Sequence, residues 1–318
     1  LFARYRRLAR GLDLGLDAAT GSRRAGAAPG ERAGVVTVVC GTDLSDSAAR
    51  AARVAAAIAR RLGRGLSLVR VRAADEPDGG TTSLDAVAGA LREEFGIEVT
   101  PMTEAGAPDE ALVGLASKLQ ARLLVVGPIG ARKQSRWTLG SVAERVAQTS
   151  SVPVLVVRDG SKLEAWARGD GALRVMVGVE LTTESQAALA WARGLEVIGP
   201  SELLVAQIVW PADEHNRAGL AAPIPLDHLR PELEQSLRSR LEEWASIGQA
   251  SGRAAFMVKP GWGRVDSHLM LLAEESNVDL LVVGTHQRAG IARLWQGSVS
   301  RSVLHGAPMS VACIPLPP

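Results

Sequence analysis

Short, almost uniformly apolar runs alternate along this chain with longer stretches in which apolar side chains recur every three or four positions. The first kind reads as strands buried on both faces, the second as helices with one covered side. From Val35, "VVTVVCGTD" predicts a strand, and "LSDSAARAARVAAAIARRLG" predicts a helix opened by Ser45 or Asp46 and closed by Gly63. "LSLVRVR" is a second strand, "SLDAVAGALREEFG" a helix, "IEVTPMT" a third strand, and "APDEALVGLASKLQ" a helix with Pro108 in its first turn. The strand "RLLVVG", a glycine-rich loop, the helix "SVAERVAQ" and the strand "VPVLVV" complete the series. Strands alternating with helices in this way predict a parallel α/β sheet covered on both faces.

The same order then runs again. "LRVMVGVE" is a strand, "LTTESQAALAWARGLEVIG" a helix with capping-box spacing at Thr183 and Gln186, and "ELLVAQIVW", "DLLVVG" and "MSVACIP" are strands. Gly106, Gly127, Gly140 and Ser141 map onto Gly263, Gly284, Gly297 and Ser298 at a constant offset of 157, whereas Asp43 maps onto Glu180 at an offset of 137. The difference of 20 residues is an insertion, in which Leu229, Leu233, Leu237, Leu241 and Trp244 form an apolar stripe suited to the buried face of a lengthened helix. The chain therefore divides into a basic leader (1–33), a first unit (34–158), a linker (159–172) and a second unit (173–318). The leader places Leu1, Tyr5, Leu8 and Leu12 among arginines and reads as a frayed segment or a misjudged start, with a small amphipathic helix on an anionic surface as the other reading.

Composition narrows the picture. At 318 residues, with 47% apolar residues but only 3% aromatic, the chain has material for two cores in which helices lie close on sheets. A net charge of +2 and the lack of interleaved basic and aromatic residues argue against a nucleic-acid partner. No apolar stretch approaches the roughly 18 residues that cross a bilayer. Cys40 and Cys313 each sit in an apolar run and read as buried small hydrophobes in a reducing compartment, which points to the cytoplasm. His215, His228, His268, His286 and His305 show no metal-ligand spacing.

The chemistry concentrates in "GPIGARKQSRWTLGS", from Gly127 to Ser141. A glycine-rich turn between a parallel strand and a helix start suits an anion, because glycine allows positive φ and close backbone approach, and the helix start offers unpaired N–H groups. Arg132, Lys133 and Arg136 add charge, while Pro128 removes one potential donor. G-x-x-x-x-G-K-[ST] is absent, as are G-x-S-x-G and H-E-x-x-H.

Gly127, two residues, Gly130, nine residues, Gly140 and Ser141, with "TDLSDSA" after the first strand and "VPVLVV" at the end, resemble the universal stress protein family, over about Val35–Arg158 and again about Leu173–Pro315. The resemblance implies two tandem open five-stranded parallel sheets of the Rossmann-like, adenine-nucleotide-hydrolase-like type, dimers or tandem fusions, and ATP binding in members carrying this loop. It implies that Asp43 contacts the adenosine, that the backbone near Val71 reads the adenine edge, and that Gly127, Gly130, Gly140 and Ser141, followed by Val142, line the ribose and phosphates. The Ser141 hydroxyl would donate to a phosphate oxygen. The two copies are expected to pack about a pseudo-twofold axis through "VPVLVV" and "MSVACIP", with further homodimerisation open.

The second copy departs from the pattern at Gln287, where the second glycine stands in the first copy, and at Glu180 in place of Asp43. These changes disfavour ATP there, while Arg288 and Arg293 keep that loop cationic and leave a different or smaller anion open. The expected function is a nucleotide-responsive stress or signalling module acting on an unidentified partner protein. Two alternatives stand beside it: a weak ATPase or nucleotidyl-transferring enzyme, for which Mg²⁺ would offset phosphate charge, and a structural adaptor that binds no nucleotide.

Overall fold

A computed structural model of the chain describes residues 36–72, 81–129, 139–220, 227–246, 254–285 and 299–316. The basic leader and the cationic residues of both glycine loops lie outside the described residues. In the first half the elements are β1 (Val36–Gly41), α1 (Asp46–Arg61), β2 (Gly65–Arg72), α2 (Thr81–Phe95), β3 (Val99–Ala105), α3 (Pro108–Lys118), β4 (Leu123–Val126), α4 (Ser141–Thr149) and β5 (Val154–Val156). After α5 (Ser161–Arg168) the second half runs β6 (Leu173–Gly178), α6 (Thr183–Gly194), β7 (Ser201–Val209), α7 (Pro211–Arg217), α8 (Pro231–Ser246), β8 (Ala254–Pro260), α9 (Val265–Glu275), β9 (Leu280–Thr285), α10 (Val299–Gly306) and β10 (Ser310–Pro315).

The strands form one ten-stranded sheet in the order β3-β2-β1-β4-β5-β10-β9-β6-β7-β8. Pairing is parallel within each half and antiparallel only between β5 and β10, where Val156, Leu155 and Val154 face Val311, Ala312 and Cys313. The two five-stranded sheets that the resemblance implies thus meet edge to edge, β8 being a strand the sequence reading did not mark, and each last strand covers the other's unpaired edge. Strand alternation sends Val38, Cys40, Leu155, Val177, Val282 and Ala312 to one face and Val39, Leu124, Val156, Met176, Val283 and Cys313 to the other. Each of the two cores therefore continues through both halves. Cys40 and Cys313 lie in different cores as free thiols, each pushed up to about 12 by burial.

Alanine is what brings α1 close to the sheet, since Ala51, Ala52, Ala55, Ala56 and Ala59 are all buried. Ser45 caps this helix, its Oγ accepting from the Ala48 N–H at 3.3 Å, and Gly63 follows its end at φ +62°. The repeat is visible in the backbone as well. Leu44 and Leu181 both take positive φ (64° and 57°) 137 residues apart, and Gln120 and Asn277 share φ 50° 157 residues apart.

Several elements differ from the sequence reading, which did not mark β8 and α9. The cap of α6 is Thr182, one residue before the expected Thr183, with its Oγ1 accepting from the Ser185 N–H at 3.3 Å. The expected linker contains α5, whose Leu163 and Trp166 are buried and whose Trp166 Nε1 donates to the Pro200 carbonyl at 2.9 Å. The insertion supplies a second helix, α7, before the expected long one. In α8 the apolar stripe is buried as expected at Leu233, Leu237 and Leu241, with Leu229 just before the helix and Trp244 packed on the same core.

The halves are also tied by polar groups. Arg158, just beyond β5, is buried, and its Nη2 donates to the carbonyls of Leu304 (2.8 Å) and His305 (3.2 Å) at the end of α10. Its counterpart in the second half is Pro315, so this tie exists in one direction only.

Candidate functional site

In each half the chain order reverses beside the first strand: β1 lies between β2 and β4, and β6 between β7 and β9. Connections leave such neighbouring strands toward opposite faces, opening a crevice at their carboxyl ends. In the first half that crevice lies between the ends of β1 and β4, beside the start of α1.

Asp43 sits at its mouth, exposed, and its Oδ1 accepts from the Ser45 N–H (3.1 Å) and Ser45 Oγ (2.6 Å). The carboxylate is thereby held against the helix cap. The exposed carboxylate thus has a helix-entry role. On the far side, the Thr42 N–H donates to the Val69 carbonyl at 2.8 Å, and Gly41 is the last residue of β1 in register with β2. Strand alternation turns the N–H and C=O of Val71 to that same side, past the end of β1.

Gly127 follows β4 and lies against the first turn of α1. A Cβ there would stand 2.7 Å from Ser47 Oγ and 3.2 Å from the Ser47 carbonyl carbon and oxygen. Its φ is not positive, and Gly140 has φ −77°. The left-handed backbone expected of these glycines is thus not their reason. At Gly127 the reason is close approach between strand end and helix. The loop is closed at its base by the Gly140 N–H, which donates to the Pro128 carbonyl at 2.6 Å. Gly140 is also the N-cap of α4 and supplies no side-chain bond. The first bond of that helix runs from the Glu144 N–H to the Gly140 carbonyl, so the N–H groups of Ser141, Val142 and Ala143 have no partner in the helix ladder. The Ser141 hydroxyl is at this exposed end, and Val142 packs partly into the core. Gly130 lies outside the described residues.

The corresponding positions of the second half enclose a cavity. Glu180, Ile208, Gly284 and Val299, the counterparts of Asp43, Val71, Gly127 and Val142, line one cavity of about 280 Å³. Gly284 repeats the tight approach, with a Cβ position 2.6 Å from the Glu184 carbonyl oxygen. Gln287, Arg288, Arg293, Gly297 and Ser298 lie outside the described residues. Among the described residues no group of three or more His, Cys, Asp or Glu could hold a metal ion, and no helix is long and apolar enough to cross a membrane.

Sequence reasoning offered Ser45 as a helix opener but missed that it anchors Asp43, and it missed Ser47, which lies under Gly127 with a buried hydroxyl lacking a partner. The offset of 137 held the signal for Ser47, since it aligns this serine with Glu184 at the corresponding contact. It also missed a bridge between the two loop helices. Glu144 of α4 accepts from Arg301 Nε of α10 at 2.9 Å, and His305 Nε2 stands 3.2 Å from its other oxygen, close but poorly aligned for a hydrogen bond. Burial works against ionisation of Glu144, but contacts with His305 and Arg301 outweigh it and hold the carboxyl below the usual carboxylate range.

Comparison with known proteins agrees with this architecture. The family model described as universal stress protein family matches residues 36–158 and again 172–315. A universal stress protein of Methanocaldococcus jannaschii is 42% identical over 73 residues, 23% of this chain and 42% of that protein. One from Mycobacterium tuberculosis is 27% identical over 198 residues, 60% of this chain and 61% of that protein. The matched region thus spans less than two thirds of either relative. Among solved structures, a universal stress protein from Archaeoglobus fulgidus superposes with a TM-score of 0.61 at 16% identity, covering 88% of this chain and 98% of that one, which shows a shared fold. With its family model matched twice over most of its length, the chain belongs to the universal stress protein family.

Proposed function

We propose that the first half binds ATP in the crevice between the ends of β1 and β4, and that the protein acts as a nucleotide-responsive stress or signalling module. The observation that carries this reading is the convergence of Asp43, Gly127 and the open start of α4 on one switch-point crevice, whose counterparts in the second half line a single cavity. The backbone of Val71 offers a donor and an acceptor past the end of β1 for an adenine edge. Asp43, fixed by Ser45, supplies a carboxylate for the adenosine hydroxyls. The N–H groups of Ser141, Val142 and Ala143 and the Ser141 hydroxyl supply donors for the phosphates, with the helix dipole favouring negative charge. Mg²⁺, when bound, would offset phosphate charge. Asp43 is engaged with the helix cap, which suits positioning better than activation of water. The second half, with Glu180 for Asp43 and Gln287 for Gly130, is read as a copy that no longer takes ATP.

Mass spectrometry of ligand released from purified protein, followed by calorimetry with ATP and Mg²⁺, tests this reading. The expected result is ATP at one per chain, with phosphate release slow and not governed by Asp43→Ala. Absence of retained nucleotide together with no heat of ATP binding would overturn it.

A further inference from the structure

Helix α9 presents an outer face that its counterpart in the first half, α3, lacks. It buries Asp266, Leu269, Leu272 and Ala273 and turns Leu271 outward at 56% exposure. His268 lies three positions before Leu271, and Glu274 and Glu275 lie three and four after it, so all four share one side of the helix. Trp262, also 56% exposed, extends this side, since its ring meets that of His268 edge-on at 4.8 Å. At the offset of 157 the first half has Ala105, Ala111 and Gly114 for Trp262, His268 and Leu271, and Ser117 and Lys118 for Glu274 and Glu275. Small residues with a basic end have thus become an apolar ridge with an acidic end.

The ridge lacks a cover. Among the described residues the large apolar side chains left exposed are Val197, Trp210, Trp262 and Leu271, all in the second half. Glu274 and Glu275 stand in the last turn of α9, where the helix dipole favours cations, yet that turn holds no basic residue. Neither glutamate makes an ion pair among the described residues.

A segment of complementary character precedes β1. Residues 1–12 combine Leu1, Tyr5, Leu8 and Leu12, at helical spacing, with Arg4, Arg6, Arg7 and Arg10, and include no acid. Because β5 and β10 pair antiparallel, the strands of the two halves run in opposite directions. The start of β1 and the end of β8 therefore lie at the same edge of the sheet. Seven strand spacings, about 34 Å, separate β1 from β8. The 23 residues from 13 to 35 can span up to about 75 Å.

We infer that the outer face of α9, from Trp262 through Leu271 to Glu274 and Glu275, is the docking site for the basic leader of the same chain. The leader's leucines cover the ridge, and its arginines meet the two glutamates at the helix end. The Trp262 ring offers an arginine a further contact. This contact stands independently of ATP binding in the first half.

Cysteine cross-linking in the full chain tests the assignment and leaves the ridge itself intact. Ala9→Cys is combined with Ser267→Cys, one turn before Leu271, or with Glu110→Cys, the corresponding position of α3. The native Cys40 and Cys313 are buried and do not compete. Under mild oxidation the pair with Ser267→Cys should close a disulfide within one chain at least about tenfold faster than the pair with Glu110→Cys. Adding Leu271→Glu, at an exposed position, should remove most of that advantage. Adding Glu274→Gln with Glu275→Gln, or raising the salt, should remove a smaller part. Equal rates for the two pairs, a rate unaffected by Leu271→Glu, or disulfides formed between two chains would overturn the assignment.

Discussion

The two clefts share a scaffold and differ in the residues placed around it. Gly127, just after the fourth strand of its half, and Gly284, near the end of its counterpart, both lie against the first turn of the leading helix, and in both a Cβ would collide with that helix. The second glycine of the first loop, Gly130, has no such copy, since Gln287 stands in its place. A glycine needed for packing persists even where its neighbours have changed, whereas one that serves only a ligand, as proposed for Gly130, would be free to go. On that reading the glycines of a single motif have separate causes, and spacing alone does not distinguish them.

The largest effects should come from the packing glycines. In Gly284→Ala the new methyl would lie 2.6 Å from the carbonyl oxygen and 2.7 Å from the carbonyl carbon of Glu184, backbone atoms that move only with the helix. In Gly127→Ala the nearest atom, at 2.7 Å, is the Ser47 hydroxyl, which rotates away, leaving the Ser47 carbonyl at 3.2 Å. Denaturant unfolding should show Gly284→Ala destabilised by about 3 kcal/mol and Gly127→Ala by about 1 to 2 kcal/mol. Equal costs, or none, would break the argument that both glycines are held by packing and that the second half is held more tightly.

Gly130→Gln sharpens the other side of the comparison by copying the second half's departure into the first. ATP affinity should fall at least about tenfold, or about 1.4 kcal/mol, without the loss of stability expected for Gly127→Ala. Unchanged affinity would mean that Gly130 is not there for the nucleotide.

How far the sequence was legible follows the same division. The central strands could be read because a parallel strand covered on both faces is uniformly apolar, as "LLVV" of β4 and "VLV" of β5 are. The stripe of α8 could be read because its buried leucines repeat at helical spacing. The start of α6 was misjudged by one residue because Leu181 adopts a left-handed backbone, which no local pattern in "LTTESQ" announces. Helix α5 was taken for linker because it is short and flanked by glycine and aspartate. Its burial depends on Trp166 finding the Pro200 carbonyl and the bare face of Gly199, where a Cβ would stand 2.6 Å from the indole nitrogen. The candidate site was legible as a spacing of glycines, but the contact that requires Gly127 lies between elements distant in sequence. The bridge between α4 and α10 depends on how the halves meet.

That bridge carries the smallest effect and the plainest contrast between the copies. Glu144 and Arg301 occupy corresponding positions, 157 residues apart, so a symmetric dimer of identical units would set each residue near its own copy across the axis. Fusion into one chain allows opposite charges there instead. The Glu144 side chain is 18% exposed and Arg301 44%, and the pairing holds the carboxyl below its ordinary value. A carboxylate depressed in the folded state contributes stability that is fully present above its unfolded value and lost as pH falls through the folded one. Glu144→Gln should therefore cost about 1 kcal/mol near neutral pH, a partly screened ion pair. The difference from the unsubstituted chain should persist down to the ordinary value of 4.5 and shrink below it as Glu144 takes up its proton. Denaturant unfolding across that range measures the difference. A gap that stays undiminished below that value would show that the two loop helices are joined by packing alone and that the charge difference between the copies has no part in holding them together.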